Sequence, residues 1–516
     1  MTRPPTMFIH LIVNMTDRDD NGPRTLNDIL DDDTLLVIFK FYHHHLPFLE
    51  EEGSDVGNDI ALAGGRWERE HWWYKLAQVC QRWRHLILEF PSHLGLSLVC
   101  TAGTPVAEML NHSPPFPLII DHLHTYRIIT VDDEDGINRA LQRRDRVRRI
   151  RLRMGVRTLK RLIKLINEEF PMLEYLYIEP LNKHNSLLLP GTLQAPRLRH
   201  LVLFNFTFQI GSPILNDLVT LSLENIDTTT YFDVNELFQR LSHMPQLETL
   251  RISFHSSLSD KDVERNLSQR PPSTDVTLPN LSWFGFGGAS AYMKALLPRT
   301  TIPFLKVIEV MFFNQPSDSM LFILQFLCKT KSPRFHNIRV TFYRQHVVVM
   351  MYPHERTGMH AIHMRIICGH LYMQVASTAE IFNGIRIVFA EVESLILEHE
   401  ASLTWHNGLE SPDHTQWREL FRSFNHVKSL YVSGSLVEEL SRSLRPEYGE
   451  SFAELLPELK TVSYSASRYA AAGESFEPTE PFIRLHGNLG FPVTLVPTVE
   501  THTPLCGDDT VVMSSR

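Results

Sequence analysis

Pro171-Met172-Leu173-Glu174-Tyr175-Leu176-Tyr177-Ile178 and Pro196-Arg197-Leu198-Arg199-His200-Leu201-Val202-Leu203 are the two stretches that decide the fold. In both, apolar side chains occupy the first, fourth and sixth positions counted from the first leucine. Positions four and six lie two residues apart, so they point to the same side of an extended chain, while position one enters the core where the strand begins. The pattern predicts a short β-strand with one buried face.

The same pattern recurs along most of the chain, which is typical of repeat proteins. Its ten copies begin at Val147, Leu173, Leu198, Leu218, Leu247, Leu281, Leu305, Val392, Val427 and Leu459. Between some copies the apolar period becomes helical, as at Leu159, Leu162, Ile163 and Ile166, at Val234, Leu237, Phe238 and Leu241, and at Trp417, Leu420, Phe421 and Phe424. Strand and helix in alternation predict an irregular leucine-rich-repeat-like α/β solenoid, whose units stack to bury one continuous core.

The spacing of the copies is irregular. Only 20 residues separate Leu198 from Leu218, whereas 54 separate a weak copy at Ile338 from Val392. We therefore expect the array to be broken or decorated after Ile338, with its concave face divided into two shorter surfaces. An ordinary α/β domain remains the alternative fold.

Two helices are predicted ahead of the repeats. The first lies within residues 26–42, where Asp32 or Asp33 can cap the free N–H groups of its first turn. Its predicted apolar face consists of Leu35, Ile38, Phe39 and Tyr42. The second begins near Trp72, and its apolar stripe consists of Leu76, Val79, Cys80, Trp83 and Ile87. Two short helices with wide apolar stripes predict a docking surface.

These segments, residues 26–43 and 72–90, resemble the F-box, the helical motif by which substrate adaptors of cullin-based ubiquitin ligases dock onto the linker protein Skp1. The matching patterns are L-x-D-D-x-L-L-x-I-F and L-x-x-V-C-x-x-W-R-x-L-I. Asp31 replaces the proline that usually follows the first leucine, and an insertion at 43–71 separates the halves. The resemblance implies a Skp1-binding set, some of which must instead pack the helices together: Leu30, Leu35, Leu36, Ile38, Phe39, Val79, Cys80, Trp83, Leu86 and Ile87.

The remainder, to about residue 497, is similar to the F-box-like proteins of mushroom-forming fungi, through segments at 91–105, 312–315 and 417–431. That family implies a degenerate leucine-rich-repeat body that selects an unknown protein substrate. Such an adaptor is not an enzyme and raises the effective concentration of its substrate near a ubiquitin-loaded partner. The expected organisation is a disordered tail at 1–24, an all-helical F-box-like module at 25–90, the repeat domain at 91–497 and a second disordered tail at 498–516.

Composition and isolated motifs add further limits. The formal charge of -9 gives no global reason to bind nucleic acid, and five dispersed cysteines indicate a reducing compartment, the cytoplasm or the nucleus. No apolar stretch reaches the roughly 20 residues that span a bilayer. The histidines at 43–45, 354, 360 and 363 lack neighbours at ligand spacing, so no metal or cofactor is predicted. The glycines within 285–288 predict a tight turn.

Seven arginines between residues 143 and 153 are the strongest indication of nucleic-acid binding. The apolar positions of a strand copy interleave them, and the acidic residues at 132–135 are the expected counter-charges. Because no aromatic platform for base stacking accompanies them, a solvated strand face is the preferred interpretation, with an acidic partner left open. Three functions therefore remain: an F-box-like adaptor, a repeat-type interaction protein that the helical module merely caps, and a nucleic-acid binder.

Overall fold

The repeated strand pattern forms the parallel strands of a mixed α/β protein. The structure is a computed structural model that describes residues 30–44, 72–91, 93–123, 129–181, 187–189, 193–207, 217–226, 232–255, 273–313, 335–352, 362–368, 371–383, 391–399, 414–433, 455–465 and 494–498, with single residues at 263, 265, 267, 322, 323, 326, 436, 440 and 443. The predicted tails, apart from residue 498, and nearly all of the insertion at 43–71 lie outside the described residues.

The chain divides into two compact units. The first comprises residues 1–154, 169–175 and 507–516, and the second comprises residues 155–168 and 176–506. This division follows Met154, inside the region that the sequence assigns to the repeats. The domain boundaries expected from the sequence stay a prediction.

The first unit contains three helices followed by alternating strands and helices. Its described elements are α1 (Asp32–His44), α2 (Trp72–Ala77), α3 (Gln81–Glu89), β1 (Leu98–Cys100), α4 (Val106–His112), β2 (Leu118–His122), α5 (Val131–Leu141) and β3 (Val147–Met154). Strand β2 pairs in parallel with β1 and with β3. Thr130 and Asp133 close a reciprocal capping box at the start of α5, which satisfies N–H groups that the helix itself cannot bond.

The second unit contains the remaining strands. Its described elements are α6 (Val156–Ile166), β4 (Tyr175–Pro180), β5 (Leu187–Leu188), β6 (His200–Phe204), β7 (Phe206–Thr207), β8 (Thr220–Ile226), α7 (Val234–Leu241), β9 (Thr249–Phe254), β10 (Val276–Thr277), β11 (Trp283–Gly288), α8 (Ser290–Leu296), β12 (Thr300–Thr301), β13 (Val307–Phe313), β14 (Asn337–Phe342), β15 (His346–Tyr352), β16 (Ile362–Ile367), α9 (Leu371–Asn383), β17 (Ser394–His399), α10 (His414–Phe421), β18 (Ser429–Ser433), β19 (Thr461–Ser465) and β20 (Thr494–Thr498). A 3-10 turn, Leu297–Arg299, follows α8.

The strands of this unit form a large and mostly parallel sheet in the order β4-β6-β8-β9-β11-β13-β16-β15-β14-β17-β18-β19-β20. The sequence pattern is confirmed, because each of its ten copies supplies a strand or leads into one. In β4, Leu176 and Ile178 are fully buried, whereas Tyr175 before them and Tyr177 between them are half-buried. Buried and half-buried positions thus alternate along the strand, as the period of two requires.

The predicted interruption after Ile338 consists of two inserted strands, β15 and β16, and the sheet contains two antiparallel pairings there. Strand β14 pairs in parallel with β17, β16 pairs in parallel with β13, and β15 lies antiparallel between β14 and β16. After β13 the chain skips two strand positions of the sheet and forms β14 at the third. It then turns back, so that β15 and β16 occupy the two skipped positions in reverse order. The long gap between copies is therefore occupied by strands of the same sheet.

The helical periods predicted between the strands are confirmed. The four predicted positions of α6, Leu159, Leu162, Ile163 and Ile166, are all buried. The buried face of α7 likewise consists of Val234, Leu237, Phe238 and Leu241. Asp233 caps α7 by accepting hydrogen bonds from the backbone N–H groups of Asn235 and Glu236. Trp417 in α10 is fully buried and packs edge to face on Phe342 of β14, with ring centroids 5.5 Å apart.

The tight turn predicted at the glycines is wrong. Gly285 and Gly287 lie inside β11, paired with Arg251 and Ser253 of β9. A Cβ atom on Gly285 would lie 2.7 Å from the ring of Trp283, and one on Gly287 would lie 2.5 Å from the Ser253 Oγ. Because these glycines have no Cβ atom, the side chains of Trp283 and Ser253 can lie directly over the strand.

Candidate docking surface

Helix α1 begins at a different cap from the one predicted. The side chain of Asp31 accepts a hydrogen bond of 2.7 Å from the backbone N–H of Thr34, so Asp31 caps the helix instead of Asp32 or Asp33. Hydrogen bonding to the Thr34 side chain, and then to its backbone N–H, lowers the pKa of the Asp31 carboxyl. Asp31, which directly follows Leu30, thus starts the helix by capping it.

Asp32 serves a tertiary contact instead. Its Oδ1 accepts a hydrogen bond of 3.0 Å from the Arg82 Nε in α3, and the Arg82 Nη2 donates to the Leu30 carbonyl at 2.9 Å. The pair is largely exposed, so it contributes about 0–1 kcal/mol. Its main effect is geometric, because it fixes the start of α1 against α3.

The inner face of α1 packs onto α3. Leu35, Leu36 and Phe39 are buried, and the Phe39 ring meets the Trp83 ring edge to face at 4.8 Å between centroids. Trp83 is itself only 5% exposed. These apolar side chains form the core of the helical segment.

The second predicted helix is two helices. A turn at residues 78–80 separates α2 from α3, and the Cys80 Sγ caps α3 by accepting from the backbone N–H of Trp83 at 3.5 Å. The turn carries Val79 outward, where it is 45% exposed. The single stripe from Leu76 to Ile87 is therefore broken at Val79 and Cys80.

The ten residues of the predicted Skp1-binding set separate by burial. The buried members are Leu35, Leu36, Phe39, Trp83, Leu86 and Ile87. Leu30 and Cys80 are half-buried, and Ile38 and Val79 are exposed. As the helix pattern allowed, most of the set packs the helices together. Ile38, which the sequence placed on one apolar face with Leu35, Phe39 and Tyr42, lies at the exposed edge of that face and is 40% exposed.

Two residues outside the predicted set extend the exposed surface. Val37 and Phe41 are each 63% exposed, and Ile38 between them is 40% exposed. In an α-helix Val37 and Phe41 lie on the side opposite to Leu35 and Phe39, and Ile38 lies at the edge between the two sides. We call Val37, Ile38 and Phe41 the outer apolar face of α1. The signal that could have revealed it is that α1 is apolar around most of its circumference, which indicates a partner on each side.

A cleft of about 920 Å³ lies in the first unit beside α2 and α3. Its apolar lining includes Trp73, Leu88, Pro105 and Met109, and Arg84 donates from its rim to the Ala77 carbonyl at 3.0 Å. Leu88 is also 36% exposed. The cleft is a second place in this unit where apolar side chains meet solvent.

Burial raises the pKa of Cys100 and of Cys368 to about 12, which disfavours their thiolate forms. Within the described ranges, no three His, Cys, Asp or Glu side chains are grouped as metal ligands would be. None of the described helices combines the length and apolar character that crossing a bilayer requires.

No protein-family model matches the chain, and no curated protein sequence matches it. Solved structures similar to it include the crystal structure of a TLR13–ssRNA13 complex, at 12% sequence identity and a TM-score of 0.28. The alignment covers 71% of this chain and 45% of that chain, so this chain spans less than half of the length of that structural neighbour. A likeness this weak carries no argument about binding.

Proposed function

We propose that this protein is an F-box-like substrate adaptor. The outer apolar face of α1 docks onto a Skp1-type linker of a cullin complex, and the strand face of the repeat region binds a protein target. The observation that carries the proposal is the exposure of Val37 and Phe41, each 63%, on a helix whose other side is already packed. The resemblance of residues 26–43 and 72–90 to the F-box supports the identity of the partner.

Burial of this face contributes part of the docking energy. Complete burial of a fully exposed large apolar side chain contributes roughly 1.5–3 kcal/mol, and the three side chains of the outer face are 40–63% exposed, so each contributes a fraction of that. The rigid packing of Phe39 on Trp83 fixes the helix before it binds, so little conformational entropy is lost on association. Val79, also exposed, supplies a further apolar contact on the same helical segment.

A repeat-type interaction protein without a ligase role is the second candidate, and a different contact favours it. Trp73 of α2 is 3% exposed and meets Phe116, just before β2, at 5.3 Å between ring centroids. In that function the helices cap the first strands, and their removal unfolds the unit. Deletion of residues 1–90 would then abolish folding as well as binding.

Co-purification with a Skp1-type linker tests the adaptor function. We expect wild-type protein to retain the linker and Phe41→Asp to lose at least about 10-fold of that retention, because a charge would be placed in the interface. Trp83 is a poor choice for this test, since a charge there disrupts the core. The matched control is Phe304→Asp, because Phe304 is 67% exposed and lies in the second unit.

The two variants should unfold at the same temperature as the wild type. Equal linker retention by wild type and Phe41→Asp would contradict docking through α1. If the wild type itself retains no linker, the capping function is favoured over the adaptor.

A further inference from the structure

The outer face of β3 carries an arginine at every second position. Arg149, Arg151 and Arg153 alternate with Ile150 and Leu152, which are fully buried. Side chains two residues apart on a strand stand roughly 6.6 Å apart on the same face. We call Arg149, Arg151 and Arg153 the arginine row.

The arginine row is held in place by neighbours in the first unit. Asp121 of β2 is 5% exposed, and its Oδ2 lies 3.3 Å from the Arg151 Nη1. The Arg149 guanidinium lies over the Tyr175 ring, 5.2 Å from its centroid. A guanidinium that is already oriented loses less entropy when it binds a carboxylate.

Two of the expected counter-charges at 132–135 have partners outside β3. Asp133 accepts hydrogen bonds from Gly103 and from Thr130, and Asp135 forms an ion pair of 2.8 Å with Arg139. Residues 143–153 contain seven arginines and one carboxylate, Asp145, in a chain whose net charge is -9. The basic character of β3 is therefore a local property of its outer face.

We propose that the arginine row binds an extended acidic segment of the target, with a carboxylate at every second residue. An extended peptide has the same spacing as β3, so carboxylates four residues apart meet the exposed Arg149 and Arg153, and the carboxylate between them lies over Arg151, which already pairs with Asp121. The contacts at Arg149 and Arg153 can each be a charge-assisted, two-point hydrogen bond. The inference deepens the part of the proposed function that gives the strand face a protein target, and it does not depend on linker docking.

The geometry favours a peptide over nucleic acid. Single-stranded nucleic acid is usually held by bases that stack on aromatic rings between basic side chains. The ring beside the row, Tyr175, is already covered by Arg149. Carboxylates need only accessible guanidiniums, and Arg149 and Arg153 are exposed.

Binding of labelled peptides to the full-length protein tests this proposal by fluorescence anisotropy. The probe, called the alternating peptide, has about twelve residues with three Glu at every second position among Ser residues, and it is compared with a peptide of equal composition in which the three Glu stand at every third position, so that successive carboxylates point to opposite sides of an extended chain. We expect the alternating peptide to bind more tightly, with an affinity that falls as NaCl rises from about 0.05 to about 0.5 M.

Charge-neutral variants locate the site. Arg149→Gln with Arg153→Gln should weaken binding of the alternating peptide by about 10-fold or more. The matched control, Arg157→Gln with Lys160→Gln, removes two exposed basic side chains from α6 and should weaken it less than about 2-fold.

Four results would overturn the proposal: no binding, equal affinity for the two peptides, equal losses in the two double variants, or tighter binding of an oligothymidylate that the row variant abolishes. The last result would indicate a nucleic-acid site. The row variant should retain the Skp1-type linker as the wild type does, so failure of this proposal and failure of linker docking are measured separately.

Discussion

Arginines occur on the outer strand faces of both units, but in different surroundings. On β3, Arg148 pairs with Glu174 at 2.8 Å, and their side chains are 45% and 33% exposed. On β9, Arg251 lies 3.5 Å from Glu224 and 3.3 Å from Glu309, with the Trp283 ring 5.7 Å away. The Arg251 and Glu224 side chains are only 28% and 6% exposed. The same kind of ion pair, arginine with glutamate, thus lies at the surface on β3 and in a largely enclosed cluster on β9.

This difference teaches how to separate binding from structure on a repeat face. An exposed arginine remains in high dielectric, contributes little to folding and is available to a partner. An enclosed arginine beside a buried carboxylate is required for folding, because its loss leaves an uncompensated charge. The three predictions that follow compare the two situations.

The largest effect is expected for Arg251→Met. The Glu224 carboxylate would lose its nearest cation while remaining 6% exposed, so the free energy of unfolding should fall by about 3 kcal/mol. Arg148→Met, the matched change on β3, should lower it by less than about 1 kcal/mol. Urea unfolding of both full-length variants measures the difference. Similar losses would show that the cluster around Arg251 is as solvated as the β3 pair.

A smaller, pH-dependent effect is expected for Glu224→Gln. Burial raises the pKa of the Glu224 carboxyl, even though Arg251 counteracts the rise. Folding therefore favours the protonated form, and the ionised carboxyl destabilises the protein as the pH rises above its ordinary pKa. The variant should gain stability relative to the wild type as the pH rises above about 4.5, the ordinary pKa of the group. A difference that does not change with pH would exclude this ionisation as the cause.

The smallest effect is expected for Gly285→Ala. The added methyl group would lie 2.7 Å from the Trp283 ring and 3.0 Å from the Arg251 Cγ, so both side chains must shift, at a loss of about 1–2 kcal/mol. Gly155→Ala is the matched control, since nothing lies within 4 Å of its Cβ position and its φ is -59°. Its effect should lie within about 0.5 kcal/mol of zero. Thermal unfolding of both variants checks this, and equal shifts would contradict close packing over β11.

Most of the strands could be predicted because their determinants are local. A period of two, as at Leu176 and Ile178, specifies an extended segment with one buried side, whatever its neighbours are. The helical period at Leu159, Leu162 and Ile166 does the same for α6. The positions of α1 and α3 were predicted on similar grounds, although the break at Val79 was not, because an apolar stripe does not record a turn.

The sequence by itself determined that this protein is a mixed α/β chain with repeated strands, and it placed their buried residues. Only the tertiary structure decided that Ile38 is exposed with Val37 and Phe41, that β15 and β16 fill the gap after Ile338, and that Gly285 lies beneath Trp283. The physical reason is that periodicity reports which side of an element is apolar, whereas burial depends on which distant segments cover that side. On α1, apolar residues occupy both sides, and the packing of Phe39 on Trp83 decides which one remains for a partner.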